Sequence, residues 1–361
     1  MKIAKVETRA VVVPLERPFL AGGLHRTESV SFVLLKVYTD DGIEGLGYAF
    51  SISQRPFKPI KATIDELSEE LTGENPLEPE RIAGKLRRAF SWGGPVGIIN
   101  MAMAAIDFAL WDIAGKAYGQ PLYRLLGGYR DRVHCYYSGA LWRDFSLEEL
   151  EEAGPDILKR GFRAMKMRMG SERPEGEEAR ARVMRETIGY DVDLMVDINQ
   201  GWTPHQAIRM GRILEPYRFF WLEDPVNHQD VQGSAQVAAA LDMPVCAGEY
   251  HYGKEPFLRL LSAGAVDIAM IDLLRVGGIT EWRKVAAIAE AFNVQVASHL
   301  LPEIAVHLVS AVPNGLTVEY MPWSLPLFKE TPRVENGQMV LPDKPGLGLE
   351  LDERAVRRWS A

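Results

Sequence analysis

Cysteine is scarce, with only Cys135 and Cys246 in 361 residues. Two distant thiols make neither a disulfide framework nor a C-x-x-C metal site, so both read as free thiols in a reducing compartment. Runs of lysine and arginine are also missing, and the net charge is −8. That removes the basic footprint of a nucleic-acid binder and leaves the acidity as a solubility feature. No stretch reads as a bilayer span. The opening MKIAKVETRAVVVPL alternates like a strand and lacks the apolar centre of a signal peptide. A cytoplasmic protein with no membrane partner is expected. No glycine-rich dinucleotide fingerprint follows an early strand, which weighs against an open doubly wound sheet.

What is present falls into two regimes. The first is strands followed by helices, the mark of an α+β unit. Residues 3–13 alternate, SVSFVLLKVYT (29–39) is a second strand, Asp40-Asp41-Gly42 is a hairpin turn, and IEGLGYAF is a third strand. Helices are expected over 57–71 and 78–90, and a long, mostly apolar one over 98–118. From about 132 to 320, short apolar runs alternate with helical stretches on a beat of roughly 25 residues, which implies parallel strands joined by crossover helices. Eight strand candidates fit a closed barrel: HCYYSGAL, RAMKMRM, DLMVDIN, RFFWLEDP, PVCAGE, VDIAMIDL, VQVASH and LTVEY. The expected division is a capping unit over 1–125, a barrel over 126–322, and a tail over 323–361 that returns to the cap.

The candidate barrel strands end in ionisable residues. Asp197, Glu223, Glu249, Asp272, His299 and Glu319 follow one another at intervals of 26, 26, 23, 27 and 20 residues, the βα beat itself. In a barrel they converge on the C-terminal face, where such folds keep their active sites. Asp197, Glu223 and Glu249 would repel one another without a cation. Hard oxygen ligands point to Mg²⁺, with Mn²⁺ as second choice. Asp272 and His299 lie one βα unit apart, and a carboxylate on one ring nitrogen leaves the other free for acid–base work. Lys166 and Arg168 share one face of their strand. Lys166 reads equally as a base or an ion-pair partner. Arg168 reads as a fixed charge, because a guanidinium is a poor base.

Around these residues the chain resembles the mandelate racemase branch of the enolase superfamily. The likeness runs through A-x-A-A-I-D-x-A-L-x-D-I-x-G-K (Ala102 to Lys116), VDINQGW, LEDP, AGE, MID with RVGGIT, SHLLPEIAVHL, TVEY and LPDKPGLGLELDE. It implies a modified barrel of the (β/α)₇β type with a capping unit. It implies Asp197, Glu223 and Glu249 as Mg²⁺ ligands and His299 with Asp272 as an acid/base dyad. It also implies Glu319 as a protonated donor to the substrate carboxylate, Asn199 near the α-hydroxyl, and a homo-oligomer. The chemistry it implies is removal of the proton next to a carboxylate, through an enediolate.

One position departs from the pattern. The second barrel strand of mandelate racemase carries Lys-x-Lys, where this chain has Lys166-Met167-Arg168. Dehydration of a sugar acid to a 2-keto-3-deoxy acid, served by His299 alone, is therefore the expected reaction. Racemisation or epimerisation of a 2-hydroxy acid, with Lys166 as second base, is the alternative. A non-catalytic acid-binding protein is a distant third. His25 and Arg26 in the segment 21–26, with Tyr48 and Arg55 in 48–55, are the expected lid residues. Their charges suit a polar or doubly acidic small-molecule carboxylate.

Overall fold

The computed structural model describes residues 1–21, 25–52, 54–94 and 96–361; the side chains of residues 21, 25 and 54–56 also lie outside the described set. Three antiparallel strands open the chain: β1 (Ile3–Ala21), β2 (His25–Thr39) and β3 (Glu44–Ser51). The β2–β3 turn closes at Asp40–Gly42, with Gly42 at φ 82°, the left-handed region that glycine enters freely. β1 runs eight residues past the expected end at residue 13. Pro14 and Pro18 interrupt the alternation that marks a strand, and the pairing with β2 slips between Pro14 and Phe19.

The helix Ile98–Ala117 lies against β3 so closely that a Cβ at Gly45 or Gly47 would collide with the carbonyl oxygens of Ala109 and Ala105. Contrary to the sequence-based expectation, this helix is long and apolar enough to cross a membrane. Its apolar window, however, is 78% buried inside the protein, which explains that composition as a core helix. Asp107, on this helix, accepts the Thr280 amide at 2.9 Å and its hydroxyl at 2.5 Å, and so clamps the cap to the start of a barrel helix.

Eight parallel strands then close on themselves: β4 (Arg132–Tyr137), β5 (Ala164–Arg168), β6 (Asp193–Asp197), β7 (Leu222–Glu223), β8 (Val245–Ala247), β9 (Ile268–Asp272), β10 (Gln295–His299) and β11 (Gly315–Tyr320). β11 pairs with β4 to seal the barrel. Helices follow the first seven strands, giving the (β/α)₇β barrel. The tail makes a hairpin, β12 (Arg333–Glu335) and β13 (Gln338–Val340), which pairs antiparallel with β4. Its end reaches back to β1, where the Val12 amide donates to the Trp359 carbonyl at 2.8 Å. Both cysteines are buried and free.

Candidate active site

Strand register sets the chemistry side by side. Arg168 on β5 lies opposite Asp197 on β6, which lies opposite Glu223 on β7. Asp272 on β9 lies opposite His299 on β10. Glu319 on β11 and Lys166 on β5 complete a ring of buried ionisable groups. Just beyond the strand ends, Leu141, Asn199, Gln200, Asp224, Leu300 and Leu301 all take left-handed backbone angles without being glycine. Such strain clusters where a structure must aim its groups.

Lys166 is the hub. Its Nζ lies 2.5 Å from Glu223 Oε1, 2.9 Å from Glu319 Oε1 and 3.8 Å from Asp197 Oδ2. Burial opposes its charge, but Glu223, Glu319 and Asp197 outweigh burial and raise its pKa. In this arrangement it is an ion-pair partner, because a base must first lose that proton. Arg168 donates from Nη1 to the carbonyls of Ser138 at 2.6 Å and Ala140 at 3.2 Å, and from Nη2 to Ser138 Oγ at 2.7 Å. Its guanidinium also stacks 3.9 Å above the Trp142 ring.

The acids gather, but with one difference from the sequence-based trio of Asp197, Glu223 and Glu249. Among the described residues, Glu223, Asp224 and Glu249 are the group whose ligand atoms all lie within 4.8 Å of one another. Asp197 stands outside that trio; its two oxygens accept from Asn199, from the amide at 2.7 Å and Nδ2 at 2.8 Å. The contact also ties Asn199 to a carboxylate. Burial pushes Glu223 up to about 8, against the pull of Lys166. Burial and the neighbouring Glu249 and Glu223 push Asp224 well up.

Asp224 Oδ2 and Glu249 Oε2 are buried without hydrogen-bond partners. The latter lies 3.1 Å from His299 Nε2 but out of hydrogen-bond alignment. Buried carboxylate oxygens left bare are costly unless a cation meets them. Hard oxygen donors of this kind fit Mg²⁺.

His299 Nδ1 lies 2.6 Å from Asp272 Oδ2, while Asp272 Oδ1 accepts the Arg275 amide at 2.6 Å. The ring is thus oriented, with Nε2 turned toward Glu249. Burial opposes the imidazolium, but Glu249, Asp272 and Glu319 outweigh it and push the ring up to about 9. Glu319 is held on both oxygens. Its Oε1 accepts from Ser138 Oγ at 2.6 Å and from Lys166, and its Oε2 accepts from the Leu300 amide at 2.7 Å. Burial pushes its pKa up, but Lys166, His299 and Arg168 bring it down to about 2. In this arrangement it is an ionised acceptor.

A cavity of about 330 Å³ opens over these groups. Its far wall comes from the cap and barrel loops and is mostly apolar: Phe19 and Leu20 of β1, Phe50 of β3, Trp142, Met321 and Trp323, with Ser51 a polar member. Of the expected lid residues, Arg26 is exposed and lies 3.5 Å from Glu28. Tyr48 is fully buried below the wall, with its hydroxyl donated to Glu303, so it does not face the cavity. The side chains of His25 and Arg55 lie outside the described residues.

Sequence reasoning passed over Ser138, Trp142, Asp224 and Arg275. Three of them sit inside quoted segments, Ser138 in HCYYSGAL, Asp224 in LEDP and Arg275 in RVGGIT. Trp142 carries no signal short of the fold that places it beside Arg168.

Comparison with known proteins agrees with this fold. Residues 3–127 match the N-terminal domain of the mandelate racemase / muconate lactonizing enzyme family, and residues 148–355 match the enolase C-terminal domain-like family. The L-talarate/galactarate dehydratase of Salmonella typhimurium is 33% identical, with 99% of this chain and 91% of that protein aligned. The D-galactarolactone cycloisomerase of Agrobacterium fabrum is 32% identical over 99% of both chains. The crystal structure of L-talarate dehydratase from Polaromonas sp. JS666, complexed with Mg and L-glucarate, superposes with a TM-score of 0.95 at 33% identity, covering 100% of this chain and 97% of that one. With matched cap and barrel models, whole-length relatives and a superposing fold, the chain belongs to the mandelate racemase / muconate lactonizing enzyme family of the enolase superfamily.

Proposed function

We propose that the protein is a Mg²⁺-dependent acid-sugar dehydratase working from a single base. Asp197, Glu223 and Glu249 would hold the ion, with Asp224 adjoining. Mg²⁺, when bound, supplies Lewis-acid stabilisation of the charge that develops on substrate carboxylate oxygens. The chain's own residues do the rest. His299, held by Asp272, takes the α-proton on Nε2. The C–H electron pair moves into the carboxylate. As it returns, the bond to the β-hydroxyl breaks, and His299 gives the proton back to form water. The enol left behind tautomerises to a 2-keto-3-deoxy acid.

The observation that carries this reading is the pairing of an oriented histidine with the absence, among the described residues, of a second base free of other partners. Across the ring, Arg168 is fixed by two carbonyls and Lys166 is committed to two carboxylates. The named dehydratases among its relatives support the same reaction. A small carboxylate is the proposed partner, and self-association follows from the family resemblance.

The test is incubation with a panel of aldonates and aldarates in Mg²⁺ and D₂O, reading 2-keto acids as semicarbazones. Dehydration yields the keto acid, and His299→Asn abolishes it. Interconversion of stereoisomers with α-deuterium uptake and no keto acid would establish the racemase instead.

A further inference from the structure

We infer that the substrate's end remote from the carboxylate is uncharged and apolar, so that the protein acts on monocarboxylic acids, best with a deoxygenated terminus, and not on diacids. The inference rests on the reaction proposed above and adds the substrate class to it.

The cavity has two unlike halves. Its floor holds nearly all the charge, and its far wall is a set of rings. Phe19 stacks on Trp142 with centroids 3.9 Å apart and planes 11° apart, and on Trp323 at 5.5 Å and 6°. Phe50 meets Trp323 edge-on at 6.4 Å. Met321 and Leu20 fill the same wall.

A second carboxylate placed there would shed water and need a cation. Among the described residues the arginines lining the cavity are each already bonded to the protein. Arg143 donates to the carbonyls of Met169 at 2.7 Å and Ile198 at 2.6 Å, and to Asn199 Oδ1 at 3.1 Å. Arg275 donates to the Glu249 carbonyl at 2.8 Å and stacks over Tyr250. Arg168 is tied to the backbone at the floor. Stripping water from an unpaired carboxylate costs far more than an apolar wall returns. A methyl or methylene end gains from the same wall.

The test compares the Mg²⁺-loaded full chain on hexarates, hexonates and 6-deoxyhexonates of matched configuration, with glycerate as the truncated acid. The expected order of kcat/KM is 6-deoxyhexonate, then hexonate, then hexarate, with about tenfold or more between the ends, the scale set by small apolar groups in a fitted pocket. Leu20→Arg, at a position 38% exposed and so tolerant of the change, should shift the ratio of hexarate to deoxyhexonate at least tenfold toward the diacid. Hexarates as the best wild-type substrates would overturn the inference and leave the dehydratase reading intact. If no acid yields a keto acid, the dehydratase reading fails. The wall is then read by calorimetry on hydroxamates carrying an alkyl or a carboxylate tail. Tighter binding of the alkyl tail sustains the inference, and tighter binding of the carboxylate tail overturns it.

Discussion

The floor of the cavity and its roof were built under different constraints. On the floor, charges sit at the ends of β5 to β11, in fixed register, and Lys166, Arg168, Glu223, Asp272 and Glu319 are each tied to two or more neighbours. The roof is made mostly of rings and aliphatic side chains from β1, β3 and the loops after β4 and β11, held mainly by packing. Hydrogen bonds and ion pairs fix direction, as proton transfer demands. Apolar contacts fix only volume and polarity, which suffices to sort substrates. Changes to the floor should therefore strike kcat, and changes to the roof should act through kcat/KM ratios between substrates.

The sharpest blow to the floor is His299→Asn. Loss of a positioned base should lower kcat by about 10²–10⁴-fold, with Mg²⁺ affinity by calorimetry little changed. Retained turnover would show that the floor does not work through this ring. Glu249→Gln comes next. It removes one of the bare buried oxygens, so Mg²⁺ affinity should fall by tenfold or more and activity with it, on the scale of about 1–3 kcal/mol for a lost charged partner.

Arg168→Lys is milder and more informative. It forfeits the forked bonds to Ser138 and Ala140, so kcat/KM should fall about tenfold, while a lysine that can lose its proton should introduce slow α-hydrogen exchange detectable in D₂O.

The metal-free protein offers a pH test. The folded-state pKa of His299 is raised to about 9 by the surrounding carboxylates. A raised pKa contributes stability that is full below the unfolded value near 6.5 and is lost as pH rises through about 9. Denaturation of metal-free protein across that window should show the loss, and Glu249→Gln should shrink it. The smallest effect is expected below the roof. Tyr48→Phe removes the hydroxyl bonded to Glu303 and should cost about 1–3 kcal/mol in chemical denaturation, with substrate ratios unchanged.

The same division decides what could be read from sequence. Strand ends repeat on a beat, so Asp197, Glu223, Glu249, Asp272, His299 and Glu319 were found from spacing and residue type. What their spacing could not show was how they pair. Lys166 sits between Glu223 and Glu319, and Asp197 accepts from Asn199, with Asp224 in the tighter acid trio. The roof has no beat. Phe19 follows a proline that breaks the pattern of its strand, and Trp323 comes from a loop more than 300 residues later. The charges of His25, Arg26 and Arg55 suggested a polar lid, whereas the described wall is aromatic. Tyr48 looked like a lid residue by position alone, since sequence gives no hint that its strand turns that side chain inward.

Trp142 lies between the Arg168 guanidinium and the Phe19 ring, one belonging to the catalytic end of the barrel and the other to the cap. An indole held in that sandwich is a spectroscopic probe already installed. Its emission should shift whenever the Phe19 segment lifts, so the difference between wild type and Trp142→Phe gives a label-free optical record of opening and closing during turnover.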